Sequence, residues 1–410
     1  MKSRNFAFWV LQNRKWNEIL VRLSDLFFGY IIYPFSFLTH RNSRKWVIGN
    51  KTGYCDNSKY LFLYLHYHFE KEIHCIWIAR TNEEKKCLKK LDFEVYKKWS
   101  IKGMFHCLTA GVYIFSSNVS DINYWTSGSA VKVNLWHGVG IKKLGLKGSV
   151  TYNPHSLFNR MMTPYNYDKP TVFITTSKLM TDHFAECYAL TSTQTRQIGY
   201  SRCDFIMQDR ETIYQYICRY ESAEMLCLID SLKSYRRVFI YMPTFRDDQT
   251  DFMQLSGIDF EDLNETLVSI GSLLLVKMHP ATRMNFDVVS ACSNIKLMDK
   301  RMDVYPLLPF TDVLITDYSS IYYDYILIEG KKVILFPFDY DTYIRNSRDL
   351  AYDYLQYTPG KKVSTYTAFK QSIIDGGYEV SERAWVVDQF WGNNYQNASA
   401  KIVDLLKGLK

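Results

Sequence analysis

Five apolar runs in this 410-residue chain stop abruptly at polar loops, and that pattern limits the fold more than any other feature. Val131 to Leu135 ends at Trp136-His137-Gly138. Arg237 to Met242 ends at Pro243-Thr-Phe-Arg246, and Ser272 to Met278 ends at His279-Pro280. Asp312 to Ile315 ends at Thr316-Asp-Tyr-Ser-Ser320, and Lys332 to Phe336 ends at Pro337-Phe-Asp339. Segments with helical spacing separate these runs. Short buried strands alternating with helices predict parallel α/β layering. In open parallel sheets, ligands bind where strands end. One shared site therefore explains the loops better than five unrelated caps.

The chain is long for a single core, so two domains are expected. The first would cover residues 46–207 and the second residues 208–410, with the largely helical stretch Gln208 to Arg236 bridging them. Further strands are predicted at Trp46 to Ile48, His74 to Ile78, Phe93 to Tyr96, Val112 to Phe115, Val172 to Ile174 and Ile295 to Leu297. Helices are predicted over Lys59 to His68, Glu83 to Leu91, 101–109, Phe260 to Gly271, Val304 to Leu308, Ile321 to Ile328 and Ala398 to Leu409.

Residues 1–45 form a separate segment. Up to Trp46 the chain carries eight Lys or Arg against two acids, around the apolar run Leu26 to Leu38. A membrane span needs about 20 apolar residues, and this run is shorter and contains Pro34. A basic, aromatic segment lying on an anionic membrane surface fits the composition, as does a helix packed on the protein body. The formal charge of +8 favours an acidic partner. Nine cysteines without C-x-x-C spacing suggest buried thiols in a reducing compartment. With no signal peptide in view, the expected location is cytoplasmic, on the inner face of the plasma membrane.

The strand-end residues suggest roles. His137, before Gly138 and close to Lys142 and Lys143, suits a general base near neutral pH. His279, between Lys277 and Arg283, suits a place beside a diphosphate. Arg246 suits a bidentate phosphate contact, or else an ion pair with Asp247 or Asp248. Thr316, Ser319 and Ser320 offer hydroxyls at a helix start, which either cap the helix or hold an anion. No P-loop, G-x-G-x-x-G or G-x-S-x-G pattern occurs. His66, His68 and His74 lack the Cys or carboxylate that would complete a metal site.

Taken together, these pieces resemble the CDP-glycerol glycerophosphotransferase family, the polymerases and primases of wall teichoic acid and related capsule polymers. The resemblance rests on Gly49-Asn50 with Asp56-Asn-Ser-Lys-Tyr60, Asn134-Leu-Trp-His-Gly138 with Lys142-Lys-Leu-Gly145, and Ile198-Gly-Tyr-Ser-Arg-Cys-Asp204. It continues through Tyr241-Met-Pro-Thr-Phe-Arg246, Lys277-Met-His-Pro280, and Ile315-Thr-Asp-Tyr-Ser-Ser320 with Asp324. It implies a GT-B-like architecture, two Rossmann-like domains facing across a cleft.

It also implies transfer of a polyol phosphate from CDP-glycerol or CDP-ribitol to a lipid-linked hydroxyl acceptor, releasing CMP, with no cofactor or metal required. His137 and His279 would be catalytic. Trp136, Gly138, Lys142, Lys143, Pro243, Thr244, Arg246, Lys277, Arg283, Thr316, Asp317, Ser319, Ser320 and Asp324 would bind substrate. The sequence departs from the family pattern at Ser201, Val139-Gly140 and Lys277. A GT-B glycosyltransferase using a nucleotide sugar is the alternative enzyme. A nucleic-acid-binding protein is the non-catalytic one, although no such motif is present and no nucleic-acid partner is expected.

Overall fold

A computed structural model describes residues 16–148, 157–246, 255–279, 289, 291–346 and 349–409. Two wholly parallel sheets organise the chain. The first contains β1 (Asn42–Gly49), β2 (His74–Ala79), β3 (Val95–Lys97), β4 (Ala110–Phe115), β5 (Val131–Asn134), β6 (Val172–Thr175) and β7 (Thr195–Gln197). Its strand order is β3-β2-β1-β4-β5-β6-β7. The second contains β8 (Arg237–Tyr241), β9 (Ser272–Val276), β10 (Ile295–Leu297), β11 (Val313–Thr316) and β12 (Lys332–Leu335), in the order β10-β9-β8-β11-β12. Most of these strands are apolar and buried along nearly their whole length, as strands covered by helices on both faces must be.

In each sheet the order reverses at one place, between β1 and β4 and between β8 and β11. Those reversals open crevices at the carboxyl edge. The loops after β8 and β11 are Pro243 to Arg246 and Asp317 to Ser320, so two of the sequence-marked loops meet at the second crevice.

Local chemistry sets the helix starts. Thr81, Ser100, Ser177, Asp209, Ser222, Asp259 and Thr365 each accept a backbone N–H from the first turn of the helix that follows. The helix predicted over Lys59 to His68 starts earlier, with Asp56, Asn57 and Ser58 in its first turn. It covers Asp56–Phe69, and Asn57 and Ser58 are buried. The helix after β11 is only Ile321–Tyr325, shorter than its apolar run suggests. Val304 to Leu308 is turns rather than helix, with a 3₁₀ turn at Leu308–Phe310. Residues 340–391 hold helices at Tyr340–Asn346, Tyr354–Tyr357, Tyr366–Asp375 and Arg383–Trp391 that the sequence reading did not anticipate.

The chain then returns to the first sheet. The last helix, Ala398–Gly408, starts on the carboxylate of Asp204, which accepts the N–H groups of Ala398 (2.9 Å) and Ser399 (2.7 Å). Asp204 therefore caps a helix nearly two hundred residues further along the chain.

The N-terminal helix Trp16–Ser36 runs through Pro34, which sits in its last turn rather than breaking it. One side packs on the body. Tyr33 stacks on Tyr124 with ring centroids 4.6 Å apart, and Gly29 lies so close to Trp125 that a Cβ would sit 2.3 Å from the indole. The other side leaves Phe27, Phe28, Ile31 and Phe35 exposed. No helix among the described residues is long and apolar enough to cross a membrane.

Candidate active site

A cavity of about 310 Å³ lies between the carboxyl edges of the two sheets. Trp136, His137, Gly138 and Lys142 line one wall. Pro243, Thr244, Phe245, His279, Ser319 and Ser320 line the other. Both sequence-marked histidines are therefore on one cavity, from opposite halves of the chain.

His137 is held by a strained turn. Trp136 has φ of 57°, a left-handed conformation unusual for a bulky residue. Asn134 Oδ1 accepts the Trp136 N–H (2.8 Å), and Asn57 Nδ2 donates to the Trp136 carbonyl (2.8 Å). The turn swings the imidazole over β4, where His137 Nδ1–H donates to the Ser116 carbonyl (2.9 Å). That bond fixes the tautomer and leaves Nε2 as the acceptor nitrogen. The ring reaches solvent through the cleft but is packed around by protein. This desolvation lowers its pKa below the ordinary 6.5, against opposition from the Asp56 carboxylate. Such a histidine is neutral at physiological pH and able to take a proton.

Beneath this turn lies Arg202, 2% exposed. Its guanidinium contacts Asp56 (2.6 Å), the His137 carbonyl (2.9 Å) and Asp324 (2.7 Å). Asp324 also accepts the Tyr305 hydroxyl (2.5 Å). Asp324 thus sits in the joint between the halves, locked to Arg202 and away from the cavity. Nearby, Lys59 crosses the same joint to Glu221 (2.5 Å) and Asp303 (2.9 Å). The sequence reading noted Arg202, Asn57 and Asn134 only as parts of motifs. Their function as supports becomes visible once their long-range partners are known.

On the second wall, Asp317 is 1% exposed and braces the loops. Its Oδ1 accepts the N–H groups of Thr244 (2.9 Å) and Tyr318 (2.6 Å), and its Oδ2 accepts Arg246 Nη2 (2.9 Å). Arg246 also pairs with Asp339 through Nε (2.7 Å) and Nη2 (2.9 Å). The guanidinium expected to grip phosphate is instead buried in a two-carboxylate clamp. The Thr316 hydroxyl donates to the Met242 carbonyl (2.7 Å) and so joins β11 to β8. Lys277 Nζ donates to the Lys300 carbonyl (2.6 Å), outside the cavity, and burial lowers its pKa. Lys143 lies on the outside, 3.8 Å from Asp349. Arg283, Asp247 and Asp248 lie outside the described residues.

Ser319, Ser320, Thr244 and His279 remain facing the cavity. The Thr244 hydroxyl is buried and has no hydrogen-bond partner among the described residues, the state expected of a group whose partner is a ligand. Beside the cavity the two walls meet at Gly138, where a Cβ would lie 3.1 Å from Ser320 Oγ. The Trp136-His137-Gly138 turn thus touches the Ser319-Ser320 turn directly. Backbone bonds from Lys143 N–H to the Asp349 carbonyl (2.9 Å) and from Ala351 N–H to the Ile141 carbonyl (2.7 Å) tie the two halves beside the cavity.

Residues 35–408 match the model of the CDP-Glycerol:Poly(glycerophosphate) glycerophosphotransferase family. The chain belongs to that family. Among the curated members of the glycerophosphotransferase family, it is 29% identical over 281 residues to a teichoic acid poly(ribitol-phosphate) polymerase of Bacillus spizizenii, covering 66% of this chain and 42% of that protein. It is 23% identical over 415 residues to a teichoic acid poly(glycerol phosphate) polymerase of the same organism, covering 96% and 98%. The chain thus spans less than half of the first relative and nearly all of the second. Among solved structures, a variant of the wall teichoic acid polymerase TagF soaked with CDPG superposes with a TM-score of 0.74 at 20% identity, over 96% of this chain and 97% of that one. This likeness establishes the GT-B-like architecture of two Rossmann-like domains.

Proposed function

We propose that this protein transfers a polyol phosphate from a CDP-polyol to a hydroxyl of a lipid-linked acceptor, releasing CMP, in the synthesis of a teichoic-acid or capsule-type polymer. The observation that carries this reading is the tautomer of His137. Its Nδ1–H is committed to Ser116, so Nε2 faces a cavity whose far wall holds His279, Thr244, Ser319 and Ser320. The acceptor oxygen attacks the phosphorus that bears the polyol while its proton passes to His137 Nε2. The bond from that phosphorus to the CMP oxygen breaks, and the electron pair leaves with CMP. His279 and the hydroxyls stabilise the charge on the departing phosphate. This reading requires no cofactor, so turnover should survive a chelator.

Arg246, Asp317, Asp324 and Arg202 act in this scheme by holding the walls. The exposed face of Trp16–Ser36, with Phe27, Phe28, Ile31 and Phe35, would rest on an anionic membrane, on the cytoplasmic side where the acceptor's lipid is anchored.

The deciding experiment incubates the purified protein with CDP-glycerol or CDP-ribitol and a lipid-linked acceptor, and follows CMP release and product length. CMP release with one of them, CDP-glycerol being favoured, is the expected result. No CMP from either, with UDP released from a UDP-sugar, would overturn the reading in favour of a glycosyltransferase.

A further inference from the structure

The carboxyl edge of the first sheet carries more than His137. One rung of paired residues crosses three adjacent strands, Val95 on β3, Trp77 on β2 and Ile48 on β1. Three residues beyond that rung, each strand reaches a basic residue, namely Lys98, Arg80 and Lys51. The same rung continues to Ile114 on β4 and Val133 on β5. Three residues further on, those strands reach Ser117 and Trp136, and His137 comes next. The Lys98 N–H donates to the Ala79 carbonyl (3.2 Å), so β3 keeps its register to this level. With strands about 4.8 Å apart, Lys51, Arg80 and Lys98 begin about 10, 14 and 19 Å from the strand that carries His137.

Two members of the row, Lys51 and Arg80, carry unneutralised charge, whereas Lys98 Nζ donates to the Ser120 carbonyl (3.3 Å). Lys51 and Arg80 are exposed, and neither forms a salt bridge among the described residues. The carboxylate that feels both, Asp121, is fully buried and turned onto the N–H groups of Ser116 (3.2 Å) and Ser117 (2.8 Å). Burial holds Asp121 up to about 6 despite the two cations. Lys98 is pushed down to about 8, first by burial and then by the charge of Arg80. Like charges crowded on a ligand-binding edge cost stability when empty and attract a multiply charged anion.

The row also has a direction. At its outer end, Lys98 interacts with Asp25 of the N-terminal helix, whose other face exposes phenylalanines. At its inner end it meets the reversal between β1 and β4, and then the base.

We propose that Lys98, Arg80 and Lys51 form a binding row for phosphate groups of the acceptor, seating a chain of phosphate esters while its terminal hydroxyl lies at His137. The proposal rests on the transfer reading above. Its ligand is either a lipid-linked diphosphate or the phosphodiesters of a growing polyol-phosphate chain, which present the same chemistry to the row.

The test uses the full chain with Lys51→Gln and Arg80→Gln combined, both exposed positions, with retained thermal unfolding as the fold check. Two fluorescent probes are titrated directly, a lipid-free oligo(glycerol phosphate) and an alkyl-diphosphate-linked neutral disaccharide, with CDP-glycerol binding measured in parallel. We expect affinity for at least one probe to fall about tenfold, less so at high salt. CDP-glycerol affinity should stay unchanged, and the charge-keeping pair Lys51→Arg with Arg80→Lys should retain probe binding. Loss confined to the oligomer assigns the row to the polymer chain, and loss confined to the diphosphate probe assigns it to the lipid end. The proposal is overturned if both probes bind the variant as they bind the wild type, if neither binds the wild type, or if CDP-glycerol binding falls in step. Because binding is read without turnover, absence of CMP release would sink the transfer reading separately.

Discussion

The two carboxyl edges that face each other across the cleft manage charge in opposite ways. On the second sheet, the strongest cation, Arg246, is clamped between Asp317 and Asp339, and the cavity is left with hydroxyls, backbone and His279. On the first sheet, Arg202 is similarly enclosed by Asp56 and Asp324, but Lys51 and Arg80 remain open to solvent. An arginine inside a site is thus no guide to what it binds. A buried guanidinium with two carboxylates sets backbone geometry, whereas an exposed cation without one is available to a ligand.

The largest expected effect probes that contrast at the base. His137→Gln should lower turnover by about 100- to 10,000-fold while leaving the urea unfolding midpoint in place. A variant that keeps near-normal CMP release would remove His137 from the chemistry. His279→Ala on the facing wall should cost about 100- to 1,000-fold in kcat, read in the same assay.

Next come the clamps. Arg202→Met leaves the buried Asp324 and the half-buried Asp56 without their cation. It should destabilise the fold by about 3–5 kcal/mol, measured by urea denaturation. If Arg202 were instead a phosphate ligand, stability would hold and only substrate affinity would fall.

A gentler probe is pH. The pKa of His137 lies below 6.5, and in the proposed reaction its neutral form is the active one. The rate should therefore rise with pH through that lowered pKa and be flat above it, up to neutrality. A profile still climbing at pH 7.5 would mean that another group is the base.

The smallest effect belongs to Thr244. Its buried hydroxyl has no partner among the described residues, so Thr244→Val should leave stability unchanged or slightly raised. Affinity for the CDP-polyol should weaken several-fold, as seen by calorimetry, if a ligand supplies the missing partner.

Much of this architecture was legible in the sequence because parallel strands buried on both faces are short apolar runs, and their ends are marked by abrupt polar loops. His137, His279, Ser319 and Ser320 were found that way, and the structure places all four on one cavity. The brace residues were not legible. Arg246 finds its carboxylates 71 and 93 residues away, and no local pattern announces such partners. Asp324, grouped with the turn it follows, pairs with an arginine from the other half. The helices between residues 340 and 391 were missed because that stretch is rich in aromatics and lacks a clean helical period. The basic row escaped for a related reason. Lys51, Arg80 and Lys98 align only when the strands are laid side by side in register.

The contact between Gly138 and Ser320 has a consequence for how this protein tolerates change. The 3.1 Å between the place of a Cβ and Ser320 Oγ is tighter than an ordinary contact, so even one methyl group would have to push the serine aside by a few tenths of an ångström. A larger side chain there would act as a shim, prising the two walls apart at the point where acceptor and donor would meet in the proposed reaction. The glycine is a spacer of zero thickness, and the reach of the reaction is gauged by what it lacks.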